Sequence, residues 1–385
     1  MSNKVYDEII AFIREHYQTN EAIALHAPCL GQTEKKMLLD CIDSTFVSSV
    51  GKYVDQLEKQ VAAYCGAKHA VAVTNGTLGL YLGLRLLGVR PGDLVLTQSL
   101  TFVATLNAIK MHHAEPYLLD VDETYLGLSA EKLAHFLETE TREEDGERIH
   151  IASGKPVRVC MPMHTLGFPA EIDTICKVCR QYGIAVLEDA AEALGSRYQD
   201  RHLGTFGDIG VISFNGNKVI TTGGGGMLLT DSDQLAHMAR HLSTTAKISH
   251  DWLFEHDEAA YNLRMPNLNA ALGLAQLAKL PDFLRDKRLL ASEYQHLCQD
   301  FAELDCLPAP PNSQPNFWLN ALRFSTQAER DEFLQYTNKR SIQTRPLWTP
   351  MHLLKPYQST LRDHLPVTEQ LAEQIVNLPS GVRCV

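Results

Sequence analysis

One short segment near the middle of the chain places a single lysine between a predicted strand and four consecutive glycines. The apolar run 209–212 predicts a buried strand that leads into Ser213, and Lys218 follows five residues later. The glycines at 223–226 allow the backbone to approach a bulky group closely and to adopt positive φ. The next apolar run, 227–230, predicts another strand. Most lysines are solvated surface charges, but this lysine is predicted to lie on a polar turn between two strands.

The residues around Lys218 favour a chemical role for it. Ser213, Asn215 and Asn217 supply hydroxyl and amide groups at the predicted strand end, and ligands bind at strand ends in α/β sheets. A lysine held there suits Schiff-base chemistry with an aldehyde cofactor. The segment therefore predicts a site for pyridoxal 5′-phosphate (PLP), with a solvated loop lysine as the alternative.

Composition excludes several other classes of protein. The chain has 385 residues, enough for two domains with a large core, and a formal net charge of −11. The acidic balance disfavours nucleic acid or an anionic membrane as a partner, and the apolar runs are too short to span a bilayer. We expect the nine scattered cysteines to be reduced thiols of a cytoplasmic protein rather than a disulfide framework.

A second segment predicts an anion site. A short buried strand over 70–73 leads into the turn 74–77, and an apolar helix is predicted over 78–87. Free N–H groups and the helix dipole at such a turn attract phosphate, and Gly76 and Thr77 would be the contacts. A plain N-cap by Thr74 or Asn75 is the alternative. The segment lacks the Gly-x-Gly-x-x-Gly fingerprint of a Rossmann dehydrogenase.

Two further residues could contact a planar cofactor. The predicted parallel-type strand 184–187 delivers Glu188 and Asp189 to its carboxyl end. PLP needs a carboxylate at its ring nitrogen to act as an electron sink, although Asp189 could instead cap a following helix. Phe102 follows another predicted strand and could stack on the ring, with a core position as the alternative.

The order of predicted elements indicates an α/β fold. Strands and helices alternate from residue 70 to about 245, which predicts a largely parallel sheet with helices on both faces. We expect an N-terminal helical arm over 1–30, a large domain over 31–280 and a smaller C-terminal α/β domain over 281–385. Residues 138–154 are predicted to form a surface insertion, and 237–257 a mobile loop. We expect no metal site, because the CxxC at 176–179 has no partner motif.

Taken together and in order, these motifs resemble the DegT-type sugar aminotransferases, from about residue 46 to residue 352. The resemblance implies the aspartate aminotransferase fold (PLP fold type I), with a mostly parallel seven-stranded sheet between helices. The most similar branch aminates nucleotide-linked 4-keto-6-deoxy sugars, including those of the bacillosamine and legionaminic acid pathways. The motifs that carry the resemblance are Thr-Asn-Gly-Thr at 74–77, Thr-Phe-Val-Ala-Thr at 101–105, Glu-Asp-Ala-Ala-Glu at 188–192, Ser-Phe-Asn-Gly-Asn-Lys at 213–218 with the glycines at 223–226, and Asn-Leu-Arg-Met-Pro at 262–266.

The resemblance also implies a role for each matching residue. Glu192 stands where the family often has glutamine or histidine, so its contact with the cofactor is an open question. Relatives that act as dehydratases have histidine in place of the lysine, so Lys218 favours transamination. The implied roles are covalent binding of PLP by Lys218, pairing with the ring nitrogen by Asp189, stacking by Phe102, phosphate binding by Gly76, Thr77 and Ser213, and a phosphate contact in the neighbouring subunit of a homodimer by Asn262.

We therefore expect an amino group to pass from glutamate to a nucleotide-linked keto-deoxy sugar, with C4 of a UDP- or GDP-linked 4-keto-6-deoxy sugar as the acceptor. The cationic candidates for the substrate's diphosphate are Arg264, Arg345, Lys247 and His352. Two alternatives remain open. The chain could be another fold type I PLP enzyme with a non-sugar substrate, or a non-catalytic regulator that senses PLP or a sugar nucleotide.

Overall fold

The computed structural model describes residues 3–301 and 305–384. Its helices follow the amphipathic segments of the sequence. In chain order they are α1 (Asn3–Tyr17), α2 (Gln32–Asp43), α3 (Lys52–Cys65), α4 (Gly76–Leu86), α5 (Val103–Met111), α6 (Ala130–Thr139), α7 (Ile172–Gln181), α8 (Asp233–Ser243), α9 (Asn267–Gln299), α10 (Gln327–Asn338) and α11 (Pro366–Gln374).

The strands are short, and those of the central sheet are almost wholly apolar. In chain order they are β1 (His69–Val73), β2 (Leu94–Gln98), β3 (Glu115–Leu119), β4 (Thr141–Glu144), β5 (Glu147–His150), β6 (Val157–Met161), β7 (Ala185–Asp189), β8 (Arg197–Tyr198), β9 (Arg201–His202), β10 (Ile209–Ser213), β11 (Gly226–Thr230), β12 (Lys247–Ile248), β13 (Glu255–His256), β14 (Asp305–Cys306), β15 (Ser313–Gln314), β16 (Asn320–Arg323), β17 (Arg345–Pro346), β18 (Leu361–Arg362) and β19 (Ile375–Leu378).

The central sheet has eight strands in the order β1-β11-β10-β7-β6-β2-β3-β18. Only β11 runs antiparallel to its neighbours, and every other adjacent pair is parallel. The expected mostly parallel sheet is therefore confirmed, and β18 from the C-terminal part adds one strand to the expected seven. Because β1, β7 and β10 point the same way, their carboxyl ends meet at one edge, beside the start of α4.

Helices cover both faces of this sheet, as a sheet that is apolar on both faces requires. Alternate residues of β1 enter different cores: Ala70 and Ala72 face one core, and Val71 and Val73 face the other. Glycines on α4 allow that helix to approach the sheet closely. A Cβ at Gly79 would lie only 2.7 Å from a methyl group of Val211.

The N-terminal helix packs against the C-terminal part of its own chain. Val5, Tyr6 and Ile9 of α1 are buried in a core with Tyr294 of α9 and Phe333 of α10. The 33-residue helix α9 passes without interruption through positions 280 and 281. The expected domain boundary at 280 thus lies inside a continuous helix. The boundaries at 30 and 280 both remain predictions.

Two expectations about the surface segments need correction. The predicted loop 237–257 is not a loop throughout, because α8 continues to Ser243 and β12 then pairs with β13 as a hairpin. The structure also joins Cys29 to Cys384 and Cys298 to Cys306 as disulfides, with Cα–Cα distances of 5.5 and 6.1 Å. The expectation of nine free thiols is wrong for these four: the fold brings the distant Cys29 and Cys384 together, and Cys298 and Cys306 are only eight residues apart. The other five cysteines are free and buried.

The charged insertion at 138–154 contains the antiparallel pair β4 and β5, which lies at the surface. Within residues 3–301 and 305–384, every helix is either too short or too polar to cross a membrane.

Candidate active site

A cavity of about 390 Å³ opens at the edge where the carboxyl ends of β1, β7 and β10 meet. Most of the cofactor residues implied by the motifs line it. Because they come from separate strand ends and from the first turn of α4, the sheet topology is what gathers them. The lining residues are Asn75, Gly76, Thr77, Leu80, Phe102, Ala104, Met163, Asp189, Ala191, Glu192, Ser213, Asn215, Asn217, Lys218, Trp318 and Trp348.

Lys218 directs its amine into this cavity between a carboxylate and an aromatic ring. Its Nζ lies 3.0 Å from Oε1 of Glu192 and 3.9 Å from the centroid of the Trp318 ring. The lysine side chain is 13% exposed, so the alternative of a solvated loop lysine is wrong. The indole N–H of Trp318 donates to the carbonyl oxygen of Asn217 at 2.7 Å, which holds the ring against the lysine turn.

Glu192 is almost fully enclosed, and its second carboxylate oxygen is also bound. Oε2 accepts a hydrogen bond from the backbone N–H of Leu166 at 2.9 Å. Burial raises the pKa of Glu192 to about 7, even though Lys218 acts in the opposite direction. The sequence left open what Glu192 contacts. Within the protein, its carboxylate contacts the amine of Lys218.

Asp189 ends β7 with its carboxylate in a defined orientation. Oδ2 accepts from the hydroxyl of Thr105 at 2.7 Å, and Oδ1 accepts from the N–H of Ala191 at 3.2 Å. Burial raises the pKa of Asp189, and the bond from Thr105 opposes that effect. The element after β7 is the short strand β8, not a helix, so the alternative of Asp189 as a helix cap is wrong.

The neighbouring Glu188 points the other way and anchors the strand end. Its carboxylate accepts from His164 Nε2 at 2.9 Å and from the N–H groups of Gly204, Phe206 and Gly207. Burial alone would raise the pKa of Glu188, but these hydrogen bonds lower it overall. His164 also donates its backbone N–H to the carbonyl oxygen of Asp189 at 3.1 Å. A largely buried polar network therefore holds β7 directly behind Asp189.

The start of α4 has the geometry of an anion site. Asn75 caps the helix by accepting from the N–H of Leu78 at 2.9 Å, so the capping predicted for Thr74 or Asn75 belongs to Asn75. Gly76 lies so close to Ser213 that a Cβ there would be 3.1 Å from the serine Cβ. The buried hydroxyl of Thr74 has no hydrogen-bond partner. The positive end of the helix dipole at Gly76 and Thr77, which line the cavity, suits a phosphate group.

Two aromatic side chains flank the opening of the cavity. Phe102 is 48% exposed, and its ring centroid lies 6.3 Å from that of Trp348. The alternative that Phe102 is a core residue is therefore wrong. Its position immediately before α5 leaves its ring beside the site instead of beneath the helix.

The remaining predicted residues lie away from the cavity lining. Arg264 is engaged by Glu58, and His352 is enclosed between Ser99, at 2.8 Å, and Glu369, at 3.1 Å. Neither has the free charged surface expected of a diphosphate ligand. Asn262, Arg345 and Lys247 are exposed, and Asn262 lies outside the cavity of its own chain. Arg345 donates hydrogen bonds to Asn338 and Thr344. The amine of Lys247 lies over the ring of Phe254.

Sequence reasoning missed Trp318, Trp348 and Thr105 as residues of the site. The two tryptophans come from the C-terminal part, far from the motifs in sequence, and no local pattern indicates that they reach the lysine. Thr105 had a weak signal, because it closes the Thr-x-x-x-Thr segment that begins at Thr101. One helical turn separates these two residues, and their hydroxyls lie 2.7 Å apart.

The residues present fit PLP. The cavity offers an amine at Lys218, a buried carboxylate at Asp189 for a ring nitrogen, and an aromatic face at Phe102. Gly76 lines the cavity, and a Cβ there would lie 3.1 Å from the Cβ of Ser213, so the missing side chain leaves a cradle for the phosphate at the start of α4. These groups come from different elements yet line one cavity, as a cofactor of that size and charge pattern requires.

Comparison with known proteins identifies the family of this chain. Residues 28–384 match the model of the DegT/DnrJ/EryC1/StrS aminotransferase family. The chain is 34% identical to a GDP-perosamine synthase of Caulobacter vibrioides, covering 93% of each chain, and 33% identical to one of Escherichia coli O157:H7, also covering 93% of each. The crystal structure of the aminotransferase TlmJ from Streptoalloteichus hindustanus superposes with a TM-score of 0.84 at 29% identity, covering 93% of each chain. The chain therefore belongs to the DegT/DnrJ/EryC1/StrS aminotransferase family and is a PLP-dependent sugar aminotransferase.

Proposed function

We propose that this enzyme moves an amino group from glutamate to the C4 keto group of a UDP- or GDP-linked 4-keto-6-deoxy sugar, in surface glycan or amino sugar biosynthesis. The observation that carries the proposal is the amine of Lys218 inside a cavity that also contains Asp189 and the start of α4. The relatives that act on a GDP-linked sugar, and that match nearly the whole chain, support the substrate class.

Each cofactor contact has a residue in place. When bound, PLP supplies an aldehyde that accepts the amino group and a conjugated ring that takes up electrons. Asp189 would pair with the ring nitrogen, and Phe102 would pack on the ring face. Gly76, Thr77 and Ser213 would hold the phosphate at the positive end of α4.

The chain's own residues then control the proton and exclude water. Lys218 Nζ is the amine placed to remove a proton from the amino donor and to return it in the reverse half-reaction. The ring of Trp318 covers one side of that amine at 3.9 Å, which limits the access of water. A protected amine can act as a base without exchanging its proton with solvent.

Recognition of the sugar nucleotide falls to the open side of the cavity. Phe102 and Trp348 flank the opening and present apolar faces, which suit a deoxy sugar ring. Arg345 is exposed and remains the proposed diphosphate contact. Arg264 and His352 are weaker proposals than Arg345. The charge of Arg264 is paired with the Glu58 carboxylate and His352 is buried, whereas Arg345 is exposed and its hydrogen bonds go to neutral oxygens.

We further propose a homodimer with shared sites. Asn262 is exposed and outside its own cavity, as a residue that serves the neighbouring subunit would be. An apolar surface on α2 and the segment that follows it would be buried in such a dimer. Its exposed members are Leu39, Ile42, Phe46, Val47 and Val50.

We propose the cytoplasm as the compartment, supported by the five free cysteines. The two disulfides are uncommon in that compartment. Titration of free thiols in protein purified without oxidation would count nine if the thiols are reduced in the cell, and five if both disulfides are present.

The test of function combines chemistry on Lys218 with turnover. Borohydride reduction and peptide mapping should place the cofactor on Lys218, and glutamate with a panel of UDP- and GDP-linked keto sugars should give an amino sugar. Lys218→Ala should bind PLP weakly and show no turnover. Cofactor attached to Lys218 without transfer to any keto sugar would instead support the non-sugar or regulatory alternatives.

A further inference from the structure

Glu192 makes a direct ionic contact with the reacting amine. Its Oε1 lies 3.0 Å from Lys218 Nζ, and the carboxylate side chain is only 1% exposed. A contact between Glu192 and the cofactor, left open by the sequence, would not account for this contact with the lysine. An ion pair removed from water costs several kcal/mol per charge unless the protein compensates for it, so its presence at the amine calls for an explanation.

The protein fixes this carboxylate from several directions. Oε2 accepts from the N–H of Leu166 at 2.9 Å, and the backbone carbonyl of Glu192 accepts from Asn316 Nδ2 at 2.7 Å. Leu166 has φ 60° and ψ 11°, in the left-handed region that a leucine rarely occupies. Such strain persists where the surroundings impose it, often at functional sites. Here the strained residue supplies a hydrogen bond to Glu192.

We propose that Glu192 is the proton partner of Lys218 whenever the lysine amine is not bonded to the cofactor. In this step one N–H bond of the lysine ammonium breaks and an O–H bond forms on Oε1 of Glu192. The ammonium and carboxylate become an amine and a carboxylic acid. The electron pair of the N–H bond stays on nitrogen, and no other reactant is needed. The step rests on the proposed function, because only a neutral Lys218 can accept the donor's proton.

The surroundings of Glu192 favour its protonated form more than water does. Burial penalises the charged carboxylate and raises the pKa of Glu192 to about 7, so this group can hold a proton near neutral pH. The charge of Asp189 acts in the same direction, and Lys218 opposes it. Two further basic groups, His26 and Lys287, lie near enough to interact with the same region, and burial lowers the pKa of both.

The test measures Lys218 directly, without sugar turnover. The full-length enzyme is loaded with pyridoxamine 5′-phosphate, a form in which the lysine is not bonded to the cofactor. Labelling by a small amine reagent such as acetic anhydride is then followed against pH by peptide mass spectrometry. In Glu192→Gln the midpoint of Lys218 labelling should fall by on the order of 1 pH unit or more, because the charge that stabilises the ammonium is gone.

Three matched variants separate a proton partner from a structural contact. Glu192→Asp keeps the carboxylate and should retain a midpoint closer to that of the wild type than Glu192→Gln does. Glu138→Gln, on the exposed end of α6, should change nothing. The pH profile of kcat in Glu192→Gln should shift to lower pH by about the same amount as the labelling midpoint, because the reaction needs the neutral amine of Lys218.

An unchanged labelling midpoint in Glu192→Gln would refute the proposal, even if its activity falls. If Glu192→Gln does not fold, Glu192→His decides, because it also removes the carboxylate. A labelling midpoint in Glu192→His equal to that in Glu138→Gln would likewise refute the proposal. Failure of the proposed function is a separate result. It would appear as wild-type enzyme that transfers no amino group to a keto sugar nucleotide, whatever the labelling shows.

Discussion

The amine of Lys218 lies 3.9 Å from the centroid of the Trp318 ring. The tryptophan is held on two sides, because its indole N–H donates to Asn217 and its carbonyl oxygen accepts from Lys287 Nζ at 3.1 Å. A residue from the C-terminal part of the chain thus forms one wall around an amine from the large sheet. The two parts of the fold must be correctly packed for the lysine to have this environment.

Replacing Trp318 should therefore weaken catalysis through the lysine environment. Trp318→Leu removes the aromatic face, and a cation–π contact of this kind contributes about 0.5–2 kcal/mol. We expect kcat to fall by roughly threefold to thirtyfold. Trp318→Phe keeps a ring and should lose less. Equal losses in the two variants, measured by steady-state kinetics, would mean that only the indole hydrogen bond matters.

Asp189→Asn should preserve the fold and lose the reaction. The two side chains are nearly isosteric, and Asn can still accept from Thr105, but it carries no charge to hold a protonated ring nitrogen. We expect a loss on the order of a thousandfold in kcat, or about 4 kcal/mol in the transition state. Circular dichroism serves as the control for folding. Activity within a few-fold of wild type would show that the charge of Asp189 is not used.

Two inactive variants should restore one active site when mixed. Lys218→Ala removes the reacting amine, and Asn262→Ala removes the proposed phosphate contact in the neighbouring subunit, at a cost of about 1–3 kcal/mol. A mixed dimer then carries one site with both residues intact. Co-refolding and assay should recover part of the activity. Mixed dimers without activity, or an active monomer in sedimentation, would contradict the shared site.

The buried Glu192 should make stability depend on pH in a defined direction. Its pKa in the folded protein is raised to about 7, above an unfolded value of about 4.3, so the folded state binds the proton more tightly. Stability should therefore be highest below the unfolded pKa and should decline as pH rises from about 4.3 to about 7, by up to roughly 4 kcal/mol from this group.

Urea unfolding of the cofactor-free wild type and Glu192→Gln at pH 5 and pH 8 tests this dependence. The glutamine variant, which cannot ionise, should gain in relative stability between the two pH values. If the difference in unfolding free energy between wild type and Glu192→Gln is the same at pH 5 and pH 8, ionisation of Glu192 does not destabilise the folded protein.

Local sequence patterns were sufficient for the main strands and helices around the site and for most of the proposed cofactor residues. In the sequence, an apolar run ends in polar residues at three places: at Ser213, at the turn that contains Gly76, and at Asp189. These patterns predict strand ends and a helix start because burial and capping act over a few residues. Parallel strands then place their carboxyl ends at one edge, so the grouping of Lys218, Asp189 and Gly76 also follows from pattern.

Only the tertiary structure decided which other groups reach the lysine. Trp318 and Leu166 reach this site because segments that are distant in sequence pack together. No local sequence pattern predicts such contacts. The same packing gives Arg264 and His352 partners of their own, although their charge alone suggested substrate binding. Sequence therefore determined the elements and the chemistry of the site, because both depend on local patterns. Long-range packing determined the surroundings of the amine, because burial and contact depend on the whole fold.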